Sequence, residues 1–206
     1  MVVIVDYGLG NLNSILNMIR KIGFEAVITS NHGVLYDASK IILPGVGAFD
    51  YGMNCIKSLG LVDVLNRKVL TEQTPILGIC LGMQLMTKKS EEGIMPGLAW
   101  INAETVGFSN NITSSNKLKI PHMGWNNISP QKKSLLLQDM PSDQRYYFVH
   151  SYFVDCFNRD DIVATTTYGV EFVSSFGKNN IYGVQFHPEK SHKYGMHLLK
   201  NFLELN

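Results

Sequence analysis

Short, wholly apolar runs alternate with amphipathic segments through the first 90 residues of the chain. The apolar runs have the length of buried strands and fall at residues 2–5, 26–28, 41–43 and 76–79. Apolar residues at helical spacing between and after them predict helices over residues 11–22, 49–68 and 81–89. Continuous apolar strands separated by helices indicate a parallel sheet that is covered on both faces.

The pattern changes in the second half, where short strand-like runs are separated by turn residues. These runs fall at residues 98–101, 104–108, 125–128, 146–150, 162–167, 171–175 and 181–185. They predict a largely antiparallel section, with a polar surface loop at 109–116 and a last helix over 191–203. The predicted fold is therefore α/β: a doubly wound, mostly parallel sheet with helices on both faces and an antiparallel section, in one domain over residues 1–206.

The composition is that of a folded globular chain and narrows the choice of partner. Eighteen basic residues balance 17 acidic ones without a long basic run, so we expect no nucleic-acid partner. The three cysteines, Cys55, Cys80 and Cys156, form no disulfide framework. The sequence shows neither a signal peptide nor an apolar run of membrane length, so we expect a cytoplasmic protein that does not enter a membrane.

The segment Gly78-Ile79-Cys80-Leu81-Gly82 lies between the fourth predicted strand and a predicted helix. This is the pattern of a nucleophile elbow, in which a sharp turn presents the central side chain at the carboxyl edge of the sheet. The flanking glycines allow the turn to fold back on its neighbours, and the start of the helix favours a thiolate. We therefore predict that Cys80 is a nucleophile; the alternative is a buried structural cysteine between two incidental glycines.

A histidine and a carboxylate follow the last predicted strand, in the segment Gln185-Phe186-His187-Pro188-Glu189. His187 can take the proton of a thiol and later give it to a leaving amine. Pro188 favours an extended chain, in which residues i and i+2 share a face, so Glu189 can lie beside the imidazole and fix its tautomer. A structural histidine at the end of a strand is the alternative interpretation.

A second glycine-rich segment, Leu43-Pro44-Gly45-Val46-Gly47, follows the third predicted strand and reaches the same edge of the sheet as Cys80. Its amides, together with that of Leu81, predict an oxyanion hole in which each donor contributes roughly 3–4 kcal/mol. The glycines alone are equally compatible with a phosphate-binding loop or a simple turn. Their spacing differs from G-x-G-x-x-G, so no dinucleotide site is indicated.

Together these segments resemble the class I, or triad, glutamine amidotransferases. Gly-Ile-Cys-Leu-Gly-Met-Gln at 78–84 and Phe-His-Pro-Glu-Lys-Ser at 186–191 are specific to the class. Pro-His-Met-Gly-Trp-Asn at 121–126 resembles, more narrowly, the glutaminase subunits of imidazole glycerol phosphate synthases, which act in histidine biosynthesis. The matching segments extend over nearly the whole chain.

The resemblance implies a role for each matching residue. Cys80 is the implied nucleophile, His187 the acid and base, and Glu189 the residue that orients the imidazole. The residues implied to surround glutamine are Gln84, Glu92, Ser151 and Tyr152, with the backbone of Gly45, Val46, Gly47 and Leu81. Trp125 and Lys190 are implied to lie near the ammonia exit and the partner surface; without the resemblance they would be a core aromatic residue and a solvated cation.

The implied reaction is hydrolysis of glutamine to glutamate and ammonia through a thioester on Cys80. The implied partner is a separate (β/α)8 cyclase or synthase subunit, which forms a heterodimer with the glutaminase and receives ammonia through an internal channel. In this family the glycine loop can be misaligned until the partner binds, which makes Val46 the implied switch. We expect no cofactor, and because His122, His150 and His192 lack metal-binding spacing we expect no metal.

The resemblance leaves the ammonia acceptor open. Residues 86–89, 165–170 and 192–196 look closer to a paralogous branch, which supplies ammonia for amidino-sugar synthesis in bacterial surface polysaccharide. The glutaminase chemistry would be the same in both branches. We favour the histidine pathway and keep the amidino-sugar pathway as the alternative.

Two other functional classes use parts of the same pattern. A non-catalytic regulatory subunit that senses glutamine would be indicated by a missing nucleophile, but all three triad positions are filled. A free-standing cysteine peptidase could use the same elbow, but the implied glutamine pocket with Gln84 and Glu92 argues against it.

Overall fold

The computed structural model describes residues 1–108 and 119–205, and the predicted loop at 109–116 lies outside them. The helices are α1 (Leu12–Lys21), α2 (His32–Tyr36), α3 (Phe49–Ser58), α4 (Leu61–Asn66), α5 (Leu81–Leu85) and α6 (His192–Glu204). The strands are β1 (Val2–Val5), β2 (Ala26–Thr29), β3 (Lys40–Gly45), β4 (Ile76–Cys80), β5 (Ala103–Gly107), β6 (His122–Asn127), β7 (Ser129–Pro130), β8 (Arg145–His150), β9 (Tyr152–Cys156), β10 (Ile162–Tyr168), β11 (Val170–Lys178) and β12 (Ile181–Val184). Within these two ranges, no helix is both long and apolar enough to cross a membrane.

The main sheet has a parallel half and an antiparallel half. Its strands follow the order β2-β1-β3-β4-β12-β11-β10-β7, and β9 and β5 continue from β11. Strands β2, β1, β3, β4 and β12 are parallel to one another. Strands β11, β10, β7, β9 and β5 pair antiparallel with their neighbours. Strands β6 and β8 form a separate antiparallel ribbon. The predicted combination of a parallel sheet with an antiparallel second half is confirmed.

Helices cover both faces of the parallel half, which explains its continuous apolar strands. Every residue of β1 and of β4 is buried. Ile4 and its neighbours pack with α1 and α6 on one face, whereas Val3 and its neighbours pack with α3 and α4 on the other. A strand between two such layers needs an apolar side chain on both of its faces, as the sequence pattern indicated.

The strand register brings three chain segments to one edge of the sheet. Strand β4 pairs with β3 so that Cys80 lies beside Gly45. On its other side β4 pairs with β12 so that Ile79 lies beside Val184. The residues that follow β3, β4 and β12 therefore meet at the carboxyl edge, where ligand sites form in sheets of this kind.

Two predicted helices are shorter in the structure than the apolar spacing suggested. The helix predicted over 49–68 is divided, because α3 ends at Ser58 and Gly60 takes a left-handed φ of 66° before α4 begins. The helix predicted over 81–89 ends at Leu85. The carbonyl groups at its end accept hydrogen bonds from residues that follow the helix. One of these donors is the Thr87 hydroxyl, which donates to the carbonyl of Gln84.

The run at 98–101 is not a strand, and the prediction for it was wrong. Its amides donate to the carbonyls that α5 leaves free, with Leu98 N 2.8 Å from Leu85 O and Trp100 N 2.9 Å from Met86 O. The sequence prediction also missed α2, β7 and β9. Strand β9 pairs with β5 and β11, and thereby joins the outer part of the antiparallel half to the main sheet.

Candidate active site

Cys80 occupies the turn between β4 and α5. Its backbone has φ 54° and ψ −111°, a combination that non-glycine residues rarely adopt. The residue is buried, and its sulfur lies 3.9 Å from the carbonyl oxygen of Val149 and 3.7 Å from Nε2 of Gln185. The strained backbone at the junction of a strand and a helix is the geometry predicted for a nucleophile elbow.

The two glycines beside Cys80 leave no space for a side chain. A Cβ atom at Gly78 would lie 2.7 Å from the amide nitrogen of Met83. A Cβ atom at Gly82 would collide with the carbonyl oxygen of Leu43 on the neighbouring strand. The predicted steric role of the glycines in the turn is therefore confirmed.

Substitution Gly82→Ala is expected to destabilise the folded chain by at least about 3 kcal/mol. The obstacle is a backbone carbonyl, and Leu43 cannot withdraw because it is paired with Gly78 across β3 and β4. Urea unfolding followed by circular dichroism measures the change in free energy of unfolding. Gly8→Ala is the control, because a Cβ there would meet no atom within 4 Å and would only strain a left-handed backbone, at about 1–2 kcal/mol. Equal losses in the two variants would contradict the steric argument.

His187 and Glu189 follow β12 and form a buried hydrogen-bonded pair. Nδ1 of His187 lies 2.8 Å from Oε1 of Glu189, and each side chain is only 1% exposed. Asn11 donates a second hydrogen bond to the same carboxylate oxygen, at 3.0 Å. The backbone amide of His187 donates to the carbonyl of Tyr147 in β8. The predicted pairing of the carboxylate with the imidazole is confirmed, and Asn11 adds a donor that the sequence did not reveal.

The surroundings of this pair favour a protonated imidazole beside a carboxylate. Burial acts to lower the pKa of His187, but interactions with Cys80 and Glu189 outweigh burial and raise that pKa to about 10. Burial acts to raise the pKa of Glu189, but the hydrogen bond and charge of His187, together with the hydrogen bond from Asn11, outweigh it and hold the pKa below its usual value. Nε2 of His187 makes no well-aligned hydrogen bond within the described ranges. Nε2 is therefore the ring atom left to exchange a proton with Cys80.

A cavity of about 350 Å³ opens over the Cys80 sulfur. Its walls are formed by Val46, Gly47, Cys80, Leu81, Gln84, Glu92, Val149, His150, Ser151, Tyr152 and His187. The structure thus brings the predicted nucleophile, base and glutamine-binding residues around one space of a size suited to a small molecule. Of the predicted loop residues, Gly45 does not line the cavity; it lies in β3, paired with Cys80.

The glycine-rich loop after β3 is held at its base by Tyr7. The Tyr7 hydroxyl donates to the carbonyl oxygen of Pro44 at 2.6 Å. Burial raises the pKa of Tyr7, and the nearby Cys80 raises it further, so the phenol stays a donor. Beyond this anchor, Val46 is 36% exposed and Gly47 has a left-handed φ of 106°. The loop is therefore anchored at Pro44 and exposed at Val46, and its residues Val46 and Gly47 line the cavity.

Gln84 and Glu92 lie in the cavity wall, and each is already bound to the protein. Nε2 of Gln84 donates to the carbonyl of Tyr152 at 2.9 Å and to Oε1 of Gln185 at 3.0 Å. Both amide protons are thereby used, which leaves the Gln84 oxygen for a substrate. Oε2 of Glu92 accepts the backbone amide of Phe49, at the start of α3, at 2.8 Å.

Trp125 and Lys190 lie outside the cavity, on the surface beside β8. Trp125 is 43% exposed, so its interpretation as a core aromatic residue is wrong. Its ring stacks on His192 at 5.5 Å, and the Arg145 guanidinium lies 5.7 Å from the ring centroid. The Lys190 ammonium lies 5.7 Å from the ring of Tyr147, which precedes the cavity residue Val149 by two positions in β8. We call Trp125, Arg145, Tyr147, Lys190 and His192 the tryptophan cluster.

Several residues of the site were not given a role in the sequence analysis. Val149 and His150 line the cavity, and Gln185 contacts the Cys80 sulfur. They come from strands whose register could not be derived from local pattern. In the described part of the chain, no group of three or more His, Cys, Asp or Glu side chains is arranged to hold a metal ion.

An elbow cysteine beside a buried histidine–glutamate pair, on a mixed α/β sheet, defines a triad glutamine amidotransferase. The family model "Glutamine amidotransferase class-I" matches residues 3–205, and the chain belongs to this family. The predicted resemblance is therefore confirmed.

Three similar proteins of this family are all named as subunits of imidazole glycerol phosphate synthase. The chain is 55% identical, over 99% of both chains, to "Imidazole glycerol phosphate synthase subunit HisH 2" of Methanococcus maripaludis. It is 45% identical, over the full length of both, to a protein of the same name from Pseudomonas aeruginosa. It is 44% identical, again over both full lengths, to "Imidazole glycerol phosphate synthase subunit HisH" of Bdellovibrio bacteriovorus.

Solved structures at low identity share the fold. A structure described as a glutamine amidotransferase has a TM-score of 0.73 at 17% identity, covering 99% of this chain and 98% of that one. A chain in the structure of PurLQS from Thermotoga maritima has a TM-score of 0.69 at 17% identity, covering 98% of this chain and 96% of that one. At these identities the likeness shows the fold alone, and it agrees with the predicted α/β architecture.

Proposed function

We propose that this chain is the glutaminase subunit of an imidazole glycerol phosphate synthase, with residues 1–206 forming one glutaminase domain. The observation that carries the proposal is the shared cavity: Cys80 and His187 line it together with Gln84 and Glu92. The full-length likeness to proteins named as HisH subunits supports the choice of this synthase. A free thiol as nucleophile suits a reducing compartment, and we therefore also propose that the protein acts in the cytoplasm.

The proposed reaction has two halves, and His187 acts as base and then as acid in each, while Glu189 orients its ring. Cys80 passes its proton to Nε2 of His187, and the sulfur attacks the side-chain carbonyl carbon of glutamine. The developing oxyanion is stabilised by the amide of Leu81 and the amides of the loop at Val46 and Gly47. His187 gives its proton to the leaving nitrogen, so ammonia departs and a thioester is left. His187 then accepts a proton from water while the water oxygen attacks the thioester carbon. The C–S bond breaks, glutamate leaves, and His187 returns the proton to the sulfur to regenerate the thiol.

The tryptophan cluster supports a protein partner at this edge of the molecule. It combines aromatic side chains with the Arg145 guanidinium, and aromatic residues and arginine are enriched in protein interfaces. Strand β8 connects it directly to the cavity wall, because Tyr147 lies in the cluster and Val149 in the wall. We propose that a (β/α)8 cyclase subunit docks here as the second member of a heterodimer and takes up the ammonia.

The chain alone is expected to hydrolyse glutamine slowly, and addition of the cyclase is expected to raise kcat on the order of a hundredfold. The reason is that the partner would align the exposed Val46 loop, and one added oxyanion donor contributes roughly 3–4 kcal/mol. Glutamate formation, measured with and without the cyclase, tests this. Trp125→Ala should weaken the stimulation, whereas Tyr36→Ala, which changes an exposed aromatic residue of α2, should leave it unchanged. Full turnover by the unpartnered chain would contradict the gated loop.

A second candidate acceptor is an amidino-sugar synthase for surface polysaccharide. Relatives from Methanococcus maripaludis and Pseudomonas aeruginosa carry the numeral 2 in their names, as expected where one organism holds two such subunits. Two subunits with the same chemistry would be explained by two acceptors. The deciding experiment pairs the purified chain with each synthase and measures the glutamine-dependent product. Product with the amidino-sugar synthase alone would replace the histidine assignment.

A further inference from the structure

The backbone carbonyl of Tyr152 sets the direction of the hydrogen bonds that lead to Cys80. A carbonyl oxygen can only accept, so Gln84 must point its NH₂ group toward it, at 2.9 Å. The second N–H of that group then faces Oε1 of Gln185, at 3.0 Å. With its oxygen turned toward Gln84, Gln185 must turn its own NH₂ group toward the Cys80 sulfur, at 3.7 Å.

The same carbonyl is held from its other side by a pair of buried histidines. Nδ1 of His150 donates to Tyr152 O at 2.8 Å, and Nε2 of His150 faces Nδ1 of His122 at 2.9 Å. Burial lowers the pKa of His150 to about 3 and that of His122 to about 4, so both rings are neutral near pH 7. Since the Tyr152 carbonyl accepts from Nδ1 of His150, Nε2 of that ring must be the acceptor for His122. The Tyr152 carbonyl is therefore held in place, and it fixes the direction of the hydrogen bonds that lead through Gln84 and Gln185 to Cys80.

Burial and backbone pairing hold Gln185 in place beside Cys80. Its side chain is fully buried, and its backbone amide donates to the carbonyl of Ser174 in β11. On another side of the sulfur lies the carbonyl oxygen of Val149, at 3.9 Å, which can accept from a thiol but repels a thiolate. A thiolate at Cys80 thus needs a donor to offset that carbonyl, and the Gln185 amide is placed to supply it.

We infer that Gln185 is a further catalytic residue, whose side-chain amide donates a hydrogen bond to the Cys80 sulfur and stabilises the thiolate. The thiolate forms when the proton moves from the sulfur to Nε2 of His187, and no other bond changes in that step. The inference rests on the proposed role of Cys80 as nucleophile. It assigns a function to the first residue of the Gln185-Phe186-His187 segment, which the triad does not use.

The pH profile of Cys80 alkylation by iodoacetamide tests the inference without glutamine or partner. Mass spectrometry of the peptide that contains Cys80 separates its reaction from those of Cys55 and Cys156. In Gln185→Leu the pH midpoint of alkylation should rise by about one unit, which makes the reaction about tenfold slower below that midpoint. Gln185→Glu, which keeps the volume but places a carboxylate beside the sulfur, should raise the midpoint further.

Gln144→Leu is the matched control, because Gln144 is also buried and its oxygen accepts the Tyr146 hydroxyl. Its alkylation profile should equal that of the parent. A parent-like midpoint in either folded Gln185 variant overturns the inference. If both variants fail to fold, the unmodified protein decides by NMR: the Gln185 side-chain amide signal should shift across the alkylation midpoint, and an invariant signal overturns the inference. Continued glutaminase activity after Cys80→Ala would instead refute the proposed role of Cys80 as nucleophile, and the alkylation result would still be readable.

Discussion

Replacing Cys80 with alanine is expected to abolish glutamate formation by the chain with its partner, lowering kcat by at least about 10⁴-fold. Without the sulfur no thioester can form, although His187 and Glu189 keep their places. Cys80 contributes little to the partner surface because it is buried at the base of the cavity. Binding of the partner, measured by size-exclusion chromatography, should therefore be retained.

The control for this experiment is Cys55→Ala, which changes a partly buried cysteine in α3 outside the cavity and should keep full activity. Unchanged turnover in Cys80→Ala would end the proposed mechanism. Cleavage of peptides by the unpartnered chain, without glutaminase activity in any complex, would favour the peptidase alternative.

Substitution Glu189→Gln is expected to lower kcat by about 10²–10³-fold, less than the ~10⁴-fold loss seen where such a change reverses the histidine tautomer. Oε1 of Glu189 accepts from both His187 and Asn11, whereas Oε2 has no partner within the described ranges. The glutamine carbonyl can therefore replace Oε1, with its NH₂ group in the place of Oε2. The His187 tautomer is therefore kept, and the decrease in kcat measures the effect of losing the negative charge beside the imidazolium.

The same variant should lower the pKa of His187, because the carboxylate is one of the groups that raise it to about 10. A histidine with a raised pKa stabilises the fold fully below its unfolded pKa of about 6.5, and that contribution is lost as pH rises toward 10. Glu189→Gln should therefore reduce stability most below pH 6.5. NMR titration of the His187 ring measures the shift, with Glu25→Gln, an exposed carboxylate, as the control. A parent-like pKa for His187 in Glu189→Gln would contradict the argument.

Local patterns in the sequence predicted the parts of the site that depend on neighbouring residues. Gly78 is required by the turn itself, where an added Cβ would meet Met83, and Gly82 is required because the turn packs on Leu43 of the adjacent strand. The pairing of His187 with Glu189 likewise depends on two positions separated by a proline. Both were therefore readable from the sequence and are present in the structure.

Features that depend on distant residues could not be predicted in this way. The helix after Cys80 ends early because residues 97–101 bond to its last carbonyls, and these contacts are set by tertiary structure. The helical spacing at 49–68 continued across Gly60, where the backbone turns left-handed. The contacts of Asn11 with Glu189 and of Gln185 with Cys80 join segments that only the strand order brings together.

Strand β12 has only four residues, yet it lies in the middle of the sheet, between β4 and β11. It is the last strand along the described part of the chain, and His187, the proposed base, lies shortly after its end. On a ribosome, a nascent polypeptide that has emerged as far as β11 already holds the cysteine but lacks the base and the strand that aligns the two halves. With His187 as the proposed base, a chain that ends before β12 cannot hydrolyse glutamine.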